Sequence, residues 1–167
     1  MSATRQVIGA GSYGRVYQIE GSDGKKYAIK ELKADDVLKN GDGNLNEECS
    51  QFQTHLRELN SLLALNDNNS DHTVNIKTFS YDQSRKKLDI VMNYCNGGSL
   101  ATLIDIVETI PEAKAKEILR QLLSGLSKIH ELNIGHRDLK PGNIMLDFPD
   151  EDFENPLLQE QEIADYF

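Results

Sequence analysis

The chain is poor in residues that mark several protein classes. It has no Trp, four Pro and two Cys among 167 residues, and it contains no internal repeat. No apolar stretch approaches the roughly 18 residues of a membrane-spanning helix, so no transmembrane segment is expected. Residues 1–5 lack the apolar core of a secretory signal. Cys49 and Cys95 have no metal-ligand spacing, and we interpret them as free thiols of a cytoplasmic or nuclear protein.

Basic residues are absent from the last part of the chain. After Lys140 there is no Lys, Arg or His, and residues 147–167 supply eight of the nine net negative charges. We interpret this acidic tail as a solvated segment. The preceding residues are nearly neutral and show no basic stripe that could neutralise nucleic-acid phosphates. Binding to nucleic acids or to membranes is therefore not expected.

The spacing of apolar residues predicts an α+β chain with two lobes. Strand-like segments occur at 6–8, 15–19, 26–30, 74–79 and 88–92. Helical spacing occurs at 52–65, 100–107 and 112–131, where Pro111 suits the start of the last helix. The order of these elements predicts a first lobe at 4–92, a hinge at 93–97, the start of a second lobe at 98–146 and the acidic tail at 147–167.

The most specific pattern lies at residues 136–143. They read His-Arg-Asp-Leu-Lys-Pro-Gly-Asn and match H-R-D-L-x-x-x-N, the pattern of a protein-kinase catalytic loop. An isolated Asp in such a segment is usually a turn or capping residue. An eight-residue match in register rarely arises by chance, so the pattern indicates phosphoryl transfer.

A glycine-rich segment near the start of the chain supports this interpretation. Residues 9–16 fit G-x-G-x-x-G-x-V. Alone the motif is weak, because dinucleotide-binding folds place a similar turn between a strand and a helix. Here strand-like sequence and a hairpin turn at 21–24 follow, which favours a strand–turn–strand flap. Its glycines would let backbone N–H groups approach phosphate oxygens. Ala28-Ile29-Lys30 follows in the next predicted strand.

These motifs, in this order, resemble the eukaryotic-type protein kinase family. The Lys140-Pro141 pair resembles the serine/threonine type, because tyrosine kinases usually carry Ala-Ala-Arg there. The resemblance covers residues 4–146 most clearly. It implies an α+β, protein-kinase-like fold with a complete five-stranded N-lobe, one helix in that lobe, and an incomplete helical C-lobe. It also implies transfer of the γ-phosphate of ATP to a protein hydroxyl, with ATP and Mg²⁺ as cofactors.

The resemblance assigns roles to residues of the catalytic loop. Asp138 would accept the proton of the substrate hydroxyl, and Lys140 would neutralise charge on the transferred phosphate. Asn143 would bind Mg²⁺, and Met145 would close the adenine site from below.

The resemblance also implies an ATP site in the first lobe and the hinge. By resemblance, the flap contributes Gly9, Gly11 and Gly14, and Lys30 would bind the phosphates. Val16 and Ala28 would lie above the adenine, and Met92 would be the gatekeeper. The backbones of Asn93 and Cys95 would contact the adenine edge. Asn93 stands where the family commonly has Glu. Because that contact is made by the backbone, little effect on ATP binding is expected.

A kinase lysine needs a helix glutamate to hold it. We predict Glu58 in this role, because it lies inside the amphipathic segment of the first lobe. Its separation from Lys30 is longer than usual, and the Gly-Asp-Gly sequence at 41–43 accounts for the excess as an insertion. Glu47 and Glu48 have a more usual spacing but precede the apolar pattern.

The second metal ligand of the family is the Asp of an Asp-Phe-Gly motif. Asp165, in Asp165-Tyr166-Phe167, is the candidate, and the alternative is one more acid in the acidic tail. The sequence is therefore interpreted as a kinase domain truncated near that motif. The helix at 112–131 would then expose apolar surface, which predicts a partner that covers it.

Three hypotheses follow from these patterns. The first is a protein serine/threonine kinase that phosphorylates a protein substrate. The second is a catalytically impaired, pseudokinase-like module that binds nucleotide, and the third is a partial gene product. A small-molecule phosphotransferase of related fold is less favoured, because such enzymes usually lack Arg137 and the Lys-Pro pair.

Overall fold

The computed structural model describes residues 5–11, 14–33, 48–67, 72–85, 87–107 and 109–148. In chain order its elements are β1 (Gln6–Gly11), β2 (Gly14–Glu20), β3 (Lys26–Lys33), α1 (Glu48–Asp67), β4 (Ile76–Asp82), β5 (Lys87–Asn93), α2 (Leu100–Val107), α3 (Glu112–Glu131) and a 3₁₀ turn at Pro141–Asn143. The chain divides into two compact units, Met1–Tyr94 and Cys95–Phe167. The five predicted strands and three predicted helices are confirmed within the described ranges.

The first unit is built on one antiparallel sheet with strand order β1-β2-β3-β5-β4. Its core consists of apolar side chains from α1, β3, β4 and β5, namely Leu32, Leu59, Ile76, Leu88 and Ile90. Leu32 and Ile90 are fully buried. Because alternate residues of a strand point to opposite faces, Ala28, Lys30 and Leu32 share the face of β3 that holds this core.

The elements of the first unit all depart from their predicted bounds, and the starts of α1 and β4 show why. Helix α1 begins at Glu48 rather than at residue 52, because its first turn is polar and lies outside the apolar repeat. Strand β4 begins at Ile76 rather than at residue 74. The Asn66 amide bonds both backbone groups of Ile76, accepting from N–H at 2.9 Å and donating to the carbonyl at 2.5 Å. This pair of bonds joins the last turn of α1 to the first residue of β4.

The outer face of the sheet carries a charged cluster. Glu31 and Asp89 lie opposite each other on β3 and β5. Lys87 Nζ lies 2.9 Å from Glu31, and Arg5 lies 3.3 Å from Asp89 and 3.9 Å from Glu31. The two cations compensate two carboxylates that would otherwise repel each other across the strands.

The second unit contains α2 and α3 with their predicted bounds, and its core is formed by Leu100 and Leu103. The Ser99 hydroxyl accepts from Thr102 N–H at 3.1 Å and thereby caps α2. Helix α3 ends in a left-handed Asn133 with φ of +57°, a common way of terminating a helix. No helix in the described ranges is both long and apolar enough to cross a bilayer.

Candidate active site

The register of the sheet places four of the predicted ATP-site residues on one face. Val16 pairs with Lys30 across β2 and β3, and Ala28 pairs with Met92 across β3 and β5. Directly opposed residues of antiparallel strands share a face, as do alternate residues of one strand. Ala28 is buried, and Met92 packs against the core of the first unit. The aliphatic surface predicted above the adenine therefore adjoins the predicted phosphate-binding lysine.

The described parts of the glycine-rich segment belong to two paired antiparallel strands, as predicted. Gly9 pairs with Val16 and Gly11 with Gly14, which joins β1 to β2; residues 12–13 lie outside the described ranges. Gly14 has φ of +149°, and a Cβ there would collide with the carbonyl oxygen of Glu31. Only glycine fits at this position, because β2 passes directly against the backbone of β3.

The structure brings Lys30 and Glu58 together. Lys30 Nζ donates to Glu58 Oε1, and the two side chains are 28% and 33% exposed. Glu58 reaches the lysine because α1 packs on the face of β3 that carries Lys30. Of the two alternatives, Glu47 lies outside the described ranges, and Glu48 begins α1 about three turns before Glu58.

We expect the Lys30–Glu58 pair to matter for nucleotide binding more than for stability. Partly exposed ion pairs contribute about 0–1 kcal/mol to folding. Lys30→Met should therefore shift the melting temperature little and weaken ATP binding clearly. Lys87→Met is the matched control, because its partner Glu31 has a side chain that is only 9% exposed. Lys87→Met should lower the melting temperature more than Lys30→Met does, since it leaves the buried Glu31 carboxylate without the Lys87 ammonium. Equal losses of ATP affinity in both variants, measured by titration, would contradict this assignment.

The predicted catalytic loop brings Asp138, Lys140 and Asn143 together in the second unit. Lys140 Nζ lies 3.0 Å from Asp138 Oδ2. The Asn143 amide donates to the same oxygen and to the Asp138 carbonyl, both at 2.8 Å. Asp138 N–H donates to the His136 carbonyl at 2.9 Å, and Arg137 between them has φ of +62°. These bonds hold the Asp138 carboxylate within a tight turn.

The surroundings of Asp138 keep its carboxylate ionised. The Lys140 ammonium, followed by the Asn143 amide, holds the pKa of the Asp138 carboxyl below its ordinary value. The carboxylate is exposed, so a substrate hydroxyl can approach it. A charged, oriented acceptor of this kind can bind a hydroxyl and direct it toward a phosphate.

A magnesium site would need ligands beyond the catalytic loop. Since the Asn143 nitrogen donates to Asp138, the oxygen of that amide is the atom suited to bind Mg²⁺, which prefers oxygen ligands. Across the part of the chain that the structure describes, no group of three or more His, Cys, Asp or Glu is arranged to hold a metal. Asp165, the predicted second ligand, lies outside the described residues, so that prediction stays open.

The hinge segment joins the two units at Asn93, Tyr94 and Cys95. Asn93 ends β5, and its N–H donates to the Asn75 carbonyl at 3.1 Å. Cys95 is partly buried, and burial, with a smaller contribution from Asp147, raises the pKa of its thiol to about 11. Met145 is 44% exposed and pairs with Ser99 through the backbone.

The raised pKa of Cys95 predicts slow alkylation. At pH 8 the native thiol should react with iodoacetamide roughly 100-fold more slowly than in the denatured chain, because the thiolate is the nucleophile. The rate should rise about tenfold per pH unit until the pH nears the native pKa. Because the unfolded thiol deprotonates first, this burial lowers stability as pH rises from about 9 to about 11.

Peptide mapping of the alkylated protein separates Cys95 from Cys49. Asp147→Asn is the matched variant, and it should raise the rate modestly at fixed pH, because it removes a negative charge near the thiol. Equal rates for Cys95 in native and denatured protein at pH 8 would contradict its burial as a neutral thiol.

Comparison with known proteins decides the family. The model of the protein kinase domain matches residues 2–165. The chain belongs to the protein kinase domain family. A crystal structure of Rad53 1–466 in complex with AMP-PNP is similar with a TM-score of 0.74 and 29% identity, over 89% of this kinase domain and 36% of that chain. The predicted α+β, protein-kinase-like fold is thereby confirmed.

Relatives of the kinase domain include serine/threonine kinases. It is 33% identical to the MAP kinase kinase kinase SSK2 of Saccharomyces cerevisiae, over 86% of this chain and 8% of that protein. It is 34% identical to the serine/threonine-protein kinase ATG1c of Arabidopsis thaliana, over 83% of this chain and 17% of that protein. The chain thus spans less than a fifth of the length of these relatives.

Sequence reasoning missed one set of contacts next to the predicted ATP-site residues of the kinase domain. Asn96 and Gly97, interpreted above as part of a hinge, bind or contact Phe148 near the end of the described chain. Asn is a residue that often bonds backbone groups. Its partner is 52 residues away in sequence, however, and no local pattern identifies a contact over that separation.

Proposed function

We propose that this kinase domain transfers the γ-phosphate of ATP to a serine or threonine hydroxyl of a protein. The observation that carries the proposal is the convergence of Asp138, Lys140 and Asn143 in one loop. A carboxylate, an ammonium and an amide oxygen are the groups that phosphoryl transfer needs to orient a hydroxyl, neutralise phosphate charge and bind a cation.

In this proposal ATP is the phosphate donor. The β1–β2 hairpin offers backbone without side chains at its glycines, and Lys30 offers an ammonium already held by Glu58. Val16, Ala28 and Met92 supply aliphatic surface on the same face. The presence of AMP-PNP, an ATP analogue, in the similar Rad53 structure supports the same cofactor here.

Magnesium is the second proposed cofactor. Bound with ATP, it would neutralise charge on the phosphates and so favour attack at the γ-phosphate. Asn143 would hold it through its amide oxygen, and we propose Asp165 as the second ligand. The role of Asn143 is then double, because its nitrogen also orients Asp138.

The proposed role of Asp138 is to accept a hydrogen bond from the substrate hydroxyl and then its proton. Lys140 has two roles in this proposal: it keeps the carboxylate ionised before the reaction, and it compensates charge on the transferred phosphate. The impaired-module alternative is less favoured, because the loop retains all three groups, with Lys140 and Asn143 both in contact with Asp138.

The proposed partner is a protein substrate, and the proposed location is intracellular, as expected for a chain with free cysteines. Leu119 and Leu123 of α3 are 52% and 56% exposed among the described residues. A partner covering this face of α3 stays a prediction.

The test measures both binding and transfer. Purified protein is titrated with Mg·ATP by calorimetry and then incubated with Mg·[γ-³²P]ATP and casein as a generic acceptor. The proposal expects saturable binding and label on Ser or Thr, with label formed at least about 100-fold more slowly in Asp138→Asn. Binding without transfer in the unmodified protein would support the impaired module instead. Absence of binding would overturn both.

A further inference from the structure

A short backbone ladder joins the end of the hinge to the extended segment that carries Met145. Gly97 N–H donates to the Leu146 carbonyl at 2.9 Å, and Leu146 N–H donates to the Gly98 carbonyl at 2.8 Å. Leu100 N–H donates to the Ile144 carbonyl at 2.8 Å, and Ser99 pairs with Met145 between them. Residues 97–100 therefore run antiparallel to residues 144–146 within the second unit.

The Asn96 side chain extends this ladder. Its amide oxygen accepts from Phe148 N–H at 2.8 Å, and its amide nitrogen donates to the Phe148 carbonyl at 3.1 Å. Both bonds are partly buried, so water competes with them weakly. The Asn96 amide thus makes the two hydrogen bonds that the backbone of a paired strand would make, since it bonds both the N–H and the carbonyl of Phe148.

The adjacent residue shows how closely the two segments approach. A Cβ added at Gly97 would lie 2.8 Å from Leu146 Cβ and would collide with the Phe148 ring. Gly97 is buried although it has no side chain, because that ring covers it. The glycine is thus required by close approach and the asparagine by two hydrogen bonds to the same partner residue.

We propose that Asn96, Gly97 and Phe148 form a lock that positions the adenine end of the nucleotide site. The inference rests on the proposed function. Cys95, whose backbone is predicted by the family resemblance to contact adenine, directly precedes Asn96. Met145, proposed to lie below the adenine, is the central residue of the opposing segment. The lock is therefore a positioning device: it sets the distance between two adenine contacts without touching the reacting atoms.

The lock should act on nucleotide binding and not on the chemical step. The bonds among Asp138, Lys140 and Asn143 are internal to the catalytic loop and do not involve Asn96. Loss of the lock should therefore raise KM for ATP with kcat nearly unchanged. Loss of both hydrogen bonds should therefore weaken adenine binding by about tenfold.

The experiment measures the Kd of adenosine and the Kd of Mg·ATP by calorimetric titration of three variants. Asn96→Ala should lower the affinity for both ligands by about the same factor. Asn96→Asp retains the acceptor for Phe148 N–H but places a carboxylate oxygen against the Phe148 carbonyl, so it should weaken the binding of both ligands at least as much as Asn96→Ala. Lys30→Met should weaken Mg·ATP and leave adenosine nearly unchanged, because it acts at the phosphate end.

Ser99→Ala is the matched control, because it removes the α2 cap from the same segment and leaves the Asn96 bonds intact. It should destabilise the protein without changing adenosine affinity. Equal losses in Ser99→Ala and Asn96→Ala would overturn the lock, as would unchanged adenosine binding in Asn96→Ala. Failure of the unmodified protein to bind either ligand would instead overturn the proposed function.

A double-mutant cycle tests the close approach independently. Gly97→Ala should displace the Phe148 ring and weaken adenosine binding. Phe148→Ala removes that ring, so adenosine should bind the double variant more tightly than Gly97→Ala alone. The contact to Leu146 remains, so the recovery should be partial. Additive losses in the cycle would show that the two residues act separately and would overturn the lock.

Discussion

Asp138→Asn is expected to lower the rate of phosphoryl transfer by about 10²- to 10⁴-fold, the range typical for loss of a positioned proton acceptor. Asn has nearly the same shape as Asp, so the turn should persist. The amide has no negative charge and cannot take a proton from a hydroxyl at neutral pH. The loss should appear in kcat, measured by transfer from labelled ATP at saturating concentration.

Affinity for Mg·ATP separates this effect from a folding defect. Asp138 is not among the residues proposed to bind the nucleotide base or the α- and β-phosphates, so Kd should stay within a few-fold of the unmodified value. The melting temperature should also change little, because the Asp138 side chain is 60% exposed. Retention of full transfer activity in Asp138→Asn would reject Asp138 as the proton acceptor.

Gly14→Ala is expected to be among the most damaging single-methyl additions to the first unit. The residue has φ of +149°, a conformation that costs about 1–3 kcal/mol for residues other than glycine. In addition, the new methyl would collide with the Glu31 carbonyl oxygen and lie 3.1 Å from its carbonyl carbon. Relief requires β2 to move away from β3, which disturbs the Arg15–Glu31 pairing next to the glycine-rich turn.

Thermal unfolding and ATP titration together test this expectation. Gly14→Ala should lower both the melting temperature and ATP affinity, because the same strand pair supports the β1–β2 hairpin. Gly24→Ala is the matched control: it also has positive φ, +76°, but a Cβ there meets nothing within 4 Å. It should lower stability modestly and leave ATP affinity unchanged. A Gly14→Ala protein as stable as Gly24→Ala would contradict the close approach of β2 and β3.

Local sequence patterns predicted the helices of the second unit better than the strands of the first. Helix α3 has a strong apolar repeat and Pro111 at its start, so periodicity and capping indicate the same bounds. Helix α1 continues beyond its apolar repeat at both ends. At its end the Asn66 amide bonds Ile76 ten residues later, a contact that no periodicity encodes. The bounds of β4 were misplaced for the same reason.

The residues of the candidate site also differ in how well local sequence predicted them. The catalytic loop lies in eight consecutive residues, and the contacts of Asp138 with Lys140 and Asn143 are local, so the motif predicted residues that the fold brings together. The Lys30–Glu58 contact could be predicted only because Glu58 lies inside the amphipathic helix of the first unit. Asn96 and Phe148 share no motif, and only the folded chain brings them together.

Neighbouring residues Lys30 and Glu31 face opposite sides of β3, one toward Glu58 and the other toward Lys87. A one-residue slip of β3 would turn each of its side chains to the opposite face of the sheet, because strand side chains alternate. A slip in one direction would place Glu31 at the position that faces Glu58, and a slip in the other direction would place Lys30 between Arg5 and Lys87, so that like charges would meet in either case. The same charges that arrange the proposed nucleotide site thus also oppose misregistered sheets during folding, before any nucleotide binds.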